Sequence, residues 1–140
     1  MSLLWLGAVH EHLGSPDKAI DLSGKAAALL GKTGNRWQHA FATRSLAEVC
    51  HRHGRISDAL SHYQQAKTIY HQIGDRLTEA IVLMGLGQAQ RDLSKDQAAR
   101  HHWQEALSIF KDLNDARAEQ AHSQLRELDV HDNPDAHNTP

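Results

Sequence analysis

The stretch GNRWQHA at residues 34–40 returns as GDRLTEA at 74–80 and, in a looser form, as NDARAEQ at 114–120, so one phrase recurs at a spacing of forty residues. A chain with a fixed period is built from one supersecondary unit stacked on copies of itself. The phrase also says what lies at each junction. Gly34 and Gly74 suit the left-handed residue that ends a helix, and Asn114, the next-best residue there, takes the place in the third copy. Asn35, Asp75 and Asp115 follow at once, each able to accept hydrogen bonds from the unpaired amides of a new first turn. Each copy is therefore a stop followed by a start.

A second boundary falls inside each repeat. GSPDKA offers Ser15 as an N-cap with Pro16 at the first helical position, and GRISDA and SKDQAA occupy the same place forty and eighty residues on. Between boundaries the apolar residues fall at helical intervals, as in Ala59, Tyr63, Ala66, Ile69, Tyr70 and Ile73, and no stretch alternates as a strand does. The spacing predicts an all-α chain with helices at 2–13, 16–31, 35–53, 56–73, 75–93, 96–113 and 115–129. The polar, Pro-containing segment 130–140 is expected to be a disordered tail.

Aligned by the period, Leu6, Leu46 and Leu86 share a column, followed by Gly7, Ala47 and Gly87. Ala19, Ala59 and Ala99 form another, as do Ala26, Ala66 and Ala106, so small residues recur where helices must approach closely. Ser23, Tyr63 and Trp103 share a column, and so do Leu29, Ile69 and Ile109, and Leu30, Tyr70 and Phe110; these are expected to fill the core.

This order of columns resembles the tetratricopeptide repeat over residues 3–129, through Leu46, Ala47, Gly54, Ala59, Tyr63 and Ala66 in the second copy and Leu86, Gly87, Ala99, Trp103 and Ala106 in the third. Ser23 replaces the aromatic in the first copy, and the period exceeds the usual one of about 34 because the second helix runs on through ALSIFKDLND. The longer repeat with its GDR phrase is similar to the C-terminal arrays of actinobacterial antibiotic-regulator (AfsR-like) proteins. The resemblance implies a superhelix of three antiparallel helix hairpins, at about 3–42, 43–82 and 83–122, with a capping helix at 115–129 and one domain over 1–129. It implies a scaffold that binds a protein, a peptide or other domains of a parent chain, as the interaction or regulatory domain of a larger, transcriptional regulator. Self-association is the alternative. The two-carboxylate clamp of chaperone-binding members needs Lys, Asn and Arg in the groove columns, and only Arg44 fits.

The bulk chemistry agrees. A net charge of −2 leaves no cationic excess for phosphates or an anionic bilayer, so neither direct nucleic-acid binding nor membrane binding is expected. Cys50 is the only cysteine, which suits a reducing, cytoplasmic setting. The opening LLWLGAV is too short to span a bilayer, and its Leu3, Leu4 and Trp5 are expected to form an exposed N-terminal edge through which copies could associate.

Tempting chemistry is resolved by spacing. His10 with His12 and His51 with His53 lie two apart, which points them to different sides of a helix, and no HExxH occurs; no metal, cofactor or catalytic site is expected. GLGQAQ at 85–90 lacks the third glycine and the preceding strand of a dinucleotide loop. Cys50 is read as a packing residue, without a clear activating partner for a thiol or metal-dependent enzyme.

Helix geometry places Trp37, Phe41, Arg44 and Glu48 on one face, at intervals of four, three and four, and the same columns of the next copy hold Leu77, Ile81, Met84 and Gln88. The resemblance makes these eight the candidate peptide-binding groove, with Leu4 and Ala8 as first-copy counterparts. The competing assignment makes Phe41 and Ile81 inter-repeat core and pairs Arg44 with Glu48 at i, i+4.

Overall fold

A computed structural model describes residues 16–132. Its helices are α1 (Pro16–Lys32), α2 (Arg36–Arg52), α3 (Ile56–Ile73), α4 (Arg76–Asp92), α5 (Asp96–Asp112) and α6 (Arg117–Asp132). Every regular element among the described residues is a helix, as the periodicity predicts. The chain divides into two compact units, Met1–Asp75 and Arg76–Pro140. In the first, α1 packs on α2 and α2 on α3; in the second, α4 packs on α5 and α5 on α6. The predicted helix 2–13, the edge at Leu3, Leu4 and Trp5, and tail residues 133–140 lie outside the described residues. The last helix runs to Asp132, past the predicted end at 129, and Leu128 is fully buried beneath its final turn.

The junction chemistry explains the boundaries. Gly34, Gly54 and Gly74 all have positive φ, and so do Ser94 and Asn114 in the equivalent places. At four junctions the amide after this residue reaches back five positions: Arg55 to the Cys50 carbonyl, Asp75 to Tyr70, Lys95 to Gln90 and Asp115 to Phe110, at 2.8–3.1 Å. This closes the carbonyls that a helix end leaves unpaired. On the starting side, Asn35 Oδ1 accepts from the Gln38 amide at 3.0 Å and Asp115 Oδ1 from the Arg117 amide at 2.9 Å. The expected cap at Ser15 lies outside the described residues; at the described starts inside the repeats Arg55 and Lys95 occupy the cap and make no side-chain cap bond. Acidic Asp58 and Asp96 in the first turn supply charge complementary to the helix dipole instead.

The third residue of the recurring phrase has its own role. Arg36 donates to Gln72, and Arg76 pairs with Asp112 at 3.2 Å, so in the α2–α3 and α4–α5 pairs the first helical residue clamps the last turn of the partner helix. Such exposed contacts fix register more than they add stability.

The small columns are core. Ala19, Ala59, Ala99, Ala66 and Ala106 are completely buried, and Tyr63, Tyr70, Trp103 and Phe110 fill the space between helices. In the second unit Ala99, Trp103, Leu125 and Leu128 form one cluster, with Met84 and Leu107 packed against it. One expectation fails: Leu29 is 57% exposed although Ile69, in the same column, is buried.

Candidate functional site

Helix α2 carries the first quartet of groove residues, from its first turn at Trp37 to Glu48. Trp37 and Phe41 are 56% and 49% exposed, a large aromatic area left out of the core of their own unit. Arg44 is half-buried, with its guanidinium carbon 5.8 Å from the Phe41 ring centroid, a cation–π contact. Its Nε stands 3.3 Å from Glu48 Oε1, one turn further along. The structure thus brings Phe41, Arg44 and Glu48 into one continuous strip, as the i, i+3 and i, i+4 spacing predicts; the Arg44–Glu48 pair of the competing assignment is also present, while Phe41 stays half exposed.

Two buried tyrosines of α3, expected only to fill the core, lie within electrostatic reach of Arg44 and Glu48. Burial pushes the Tyr63 hydroxyl up to about 12, reinforced by the Glu48 carboxylate and opposed by Arg52 and Arg44. Tyr70 is raised as well, by burial first, with Arg44 opposing and Asp75 and Glu48 reinforcing. His51 Nδ1 lies 3.4 Å from the Tyr63 hydroxyl, with the two rings edge to face. Position 51 lies three residues after Glu48, so the helical interval that found the quartet also reaches this contact.

The second quartet lies on α4 in the other unit, and all four of its side chains are half-buried. Met84 packs on the core cluster and its carbonyl accepts from Trp103 Nε1 at 3.1 Å, which gives it a structural duty beyond any surface role. Gln88 Nε2 donates to Asp92 Oδ1 at 3.0 Å. The two quartets are therefore unequal: α2 presents two exposed aromatics, one of them under a cation, whereas the apolar members of the α4 quartet are half-buried.

The first unit also contains an open concavity of about 610 Å³, lined by Gly24, Ala27 and Ala28 of α1, Thr43 and Leu46 of α2 and His62 of α3. It exists because α1 is built from small residues where the later copies carry Gln64, Lys67 and Thr68, or Gln104, Leu107 and Ser108. The run GKAAA at 24–28 was the readable signal. None of the α2 quartet lines it.

Cys50 is buried, and its thiol is pushed above its ordinary 9.0 by burial and by Asp58, with Arg55 opposing. A nucleophilic cysteine needs the opposite shift, so the geometry supports packing. GLGQAQ lies wholly within α4, where Gly87 meets Trp103, which accounts for that glycine by helix packing. His10 and His12 lie outside the described residues. Among the described residues, no helix is long and apolar enough to cross a membrane.

A sequence profile described as tetratricopeptide repeat matches residues 1–72 and again 40–112, two overlapping registers that together cover 1–112. No curated protein matches the chain. Among solved structures, BtubC (BKLC) from P. vanneervenii is similar at a TM-score of 0.78 and 22% identity, over 90% of this chain and 52% of that one. The apo form of RapI is similar at 0.82 and 14% identity, over 93% of this chain and 48% of that one. A putative kinesin light chain from Podosopora anserina with nearly identical TPR-like repeats is similar at 0.77 and 14% identity, over 90% of this chain and 63% of that one. The chain spans about half the length of the first two and somewhat more of the third. At these identities the likeness is one of fold.

Proposed function

The chain belongs to the tetratricopeptide repeat family, a protein-interaction scaffold, and from that premise we propose that it binds a peptide or an amphipathic helix of a partner protein through the α2 face that carries Trp37, Phe41, Arg44 and Glu48. One observation carries the reading: Trp37 and Phe41, each about half exposed, lie on the same helix as an arginine that stacks on Phe41 and whose charge is already oriented by Glu48. Exposed Trp and Phe contribute little to folding, and buried aromatics and arginine are the residues that dominate binding energy at interfaces. Apolar anchors with one oriented cation suit a peptide with an apolar stripe and an acidic residue beside it. The corresponding α4 face, with Leu77, Ile81, Met84 and Gln88, is proposed as a further peptide-contacting face with shallower anchors.

The forty-residue period and its GDR phrase support a finer reading, in which this module is the interaction part of a larger regulator working in the cytoplasm. The binding reading itself is tested by selecting peptides from a displayed library on the immobilised chain and mapping the best binder by side-chain NMR. Shifts concentrated at Trp37 and Phe41 support the proposal. Shifts confined to the exposed side of α3 and α5, such as Gln64 and Gln104, overturn it.

A further inference from the structure

The third copy carries the sequence HHWQE at 101–105. His101 and Glu105 are one turn apart on α5, and His101 Nε2 stands 2.8 Å from a Glu105 carboxylate oxygen. His102 completes a group of three. One ring nitrogen from each histidine and one Glu105 oxygen all lie within 4.8 Å of one another. From this cluster we propose a binding site for one divalent transition-metal ion, with zinc as its natural probe.

Three features support the assignment. First, the donors are two imidazoles and a carboxylate, a set that zinc accepts at bond lengths of about 2.0–2.2 Å, leaving a fourth position for water or a partner's side chain. Closing the cluster to that size requires movement mainly of His101 and Glu105, whose side chains are 68% and 40% exposed. Second, His102 is already oriented. It is buried, and its Nδ1 lies 2.8 Å from Gln90 Oε1. Because that oxygen only accepts, the contact favours the proton on Nδ1 and holds the ring in place, as outer-shell contacts do for metal-ligating histidines. Third, the repeat itself does not demand these residues. The same three columns read Asp21, Leu22 and Lys25 in the first copy and Ser61, His62 and Gln65 in the second, so only the third copy has ligating groups at all three. The site lies on α5 and is independent of the peptide-binding reading.

The test is a titration of the full chain with zinc sulfate, followed by NMR of the histidine rings, with affinities measured calorimetrically. The proposal expects the His101 and His102 ring signals to shift before those of any other histidine and to saturate near one equivalent. His101→Ala and Glu105→Ala, both at exposed side chains, should each weaken binding by about tenfold or more while circular dichroism stays unchanged. Absence of binding, saturation of a different histidine pair at lower zinc, or unchanged affinity in both folded variants overturns it. The ring-resolved measurement on the unaltered chain decides the matter even if a variant unfolds.

Discussion

The indole of Trp103 occupies the space that any side chain on Gly87 would need: a Cβ built on Gly87 would stand 2.3 Å from Trp103 Nε1 and 2.6 Å from Cδ1. The ring cannot swing away cheaply, because Nε1 donates to the Met84 carbonyl at 3.1 Å and the indole is completely buried. Gly87→Ala should therefore destabilise the chain by about 1–3 kcal/mol through overpacking. The second copy places Ala47 and Tyr63 in these two columns, so Gly87→Ala combined with Trp103→Tyr should cost less than the two single changes added together. Chemical denaturation of the four species measures this, and strict additivity would mean that the two columns do not share space.

The same substitution at Gly24 should have the opposite sign. Gly24 lies inside α1, and a Cβ there meets nothing within 4 Å. Gly24→Ala should stabilise by about 0.5–1 kcal/mol, since alanine is the better helix former. A lower melting temperature would show that this wall of the concavity is filled.

Loss of a junction should be measurable too. Asn35→Ala removes the acceptor of the Gln38 amide and should cost about 0.5–2 kcal/mol, whereas Lys95→Ala, at a start without a side-chain cap bond, should change stability much less. Equal effects in thermal unfolding would contradict the assignment of the caps.

Much of this was legible in residue chemistry. Gly34, Gly74 and Asn114 announced positive φ because few other residues adopt it, and the structure places all three there. The fully buried alanine columns were visible for a similar reason, since a small residue recurring at one phase of a helix marks close approach. What escaped depended on neighbours rather than on the residue itself. Leu29 has the composition of a core residue and is exposed; Arg55 and Lys95 sit at caps that closure by the preceding helix makes tolerable; Met84 reads as surface by column yet packs on Trp103. The concavity beside Gly24 and the cluster at His101, His102 and Glu105 arise where one copy departs from the others. Comparing columns for what they share passes over both.

Alkali should unfold the protein along a defined course. The folded state holds Tyr63 up at about 12 and Cys50 above its ordinary 9.0, so in the alkaline range it binds more protons than the unfolded chain. Stability from these groups is present below the unfolded values, near 9 for the thiol and 10 for the phenol, and is lost as pH rises through the folded ones. Stability should fall between pH 9 and 12, and Tyr63→Phe should flatten the upper part of that fall, as followed by denaturation midpoints across the range. An unchanged slope in the Phe variant would mean that Tyr63 ionises as freely in the folded state as in the unfolded one.

The central claim, that α2 presents the binding face, is tested most directly by the affinity of one library-selected peptide for five versions of the chain. Trp37→Ala, Phe41→Ala and Arg44→Glu should each weaken binding by about tenfold or more, the scale of a lost interface anchor. The double change Gln64→Glu with Gln104→Glu, at exposed positions of α3 and α5, should leave the affinity within about twofold of the unaltered chain. Full affinity in the three α2 variants, all folded by circular dichroism, together with loss in the glutamate double variant, would place the ligand elsewhere and contradict the account.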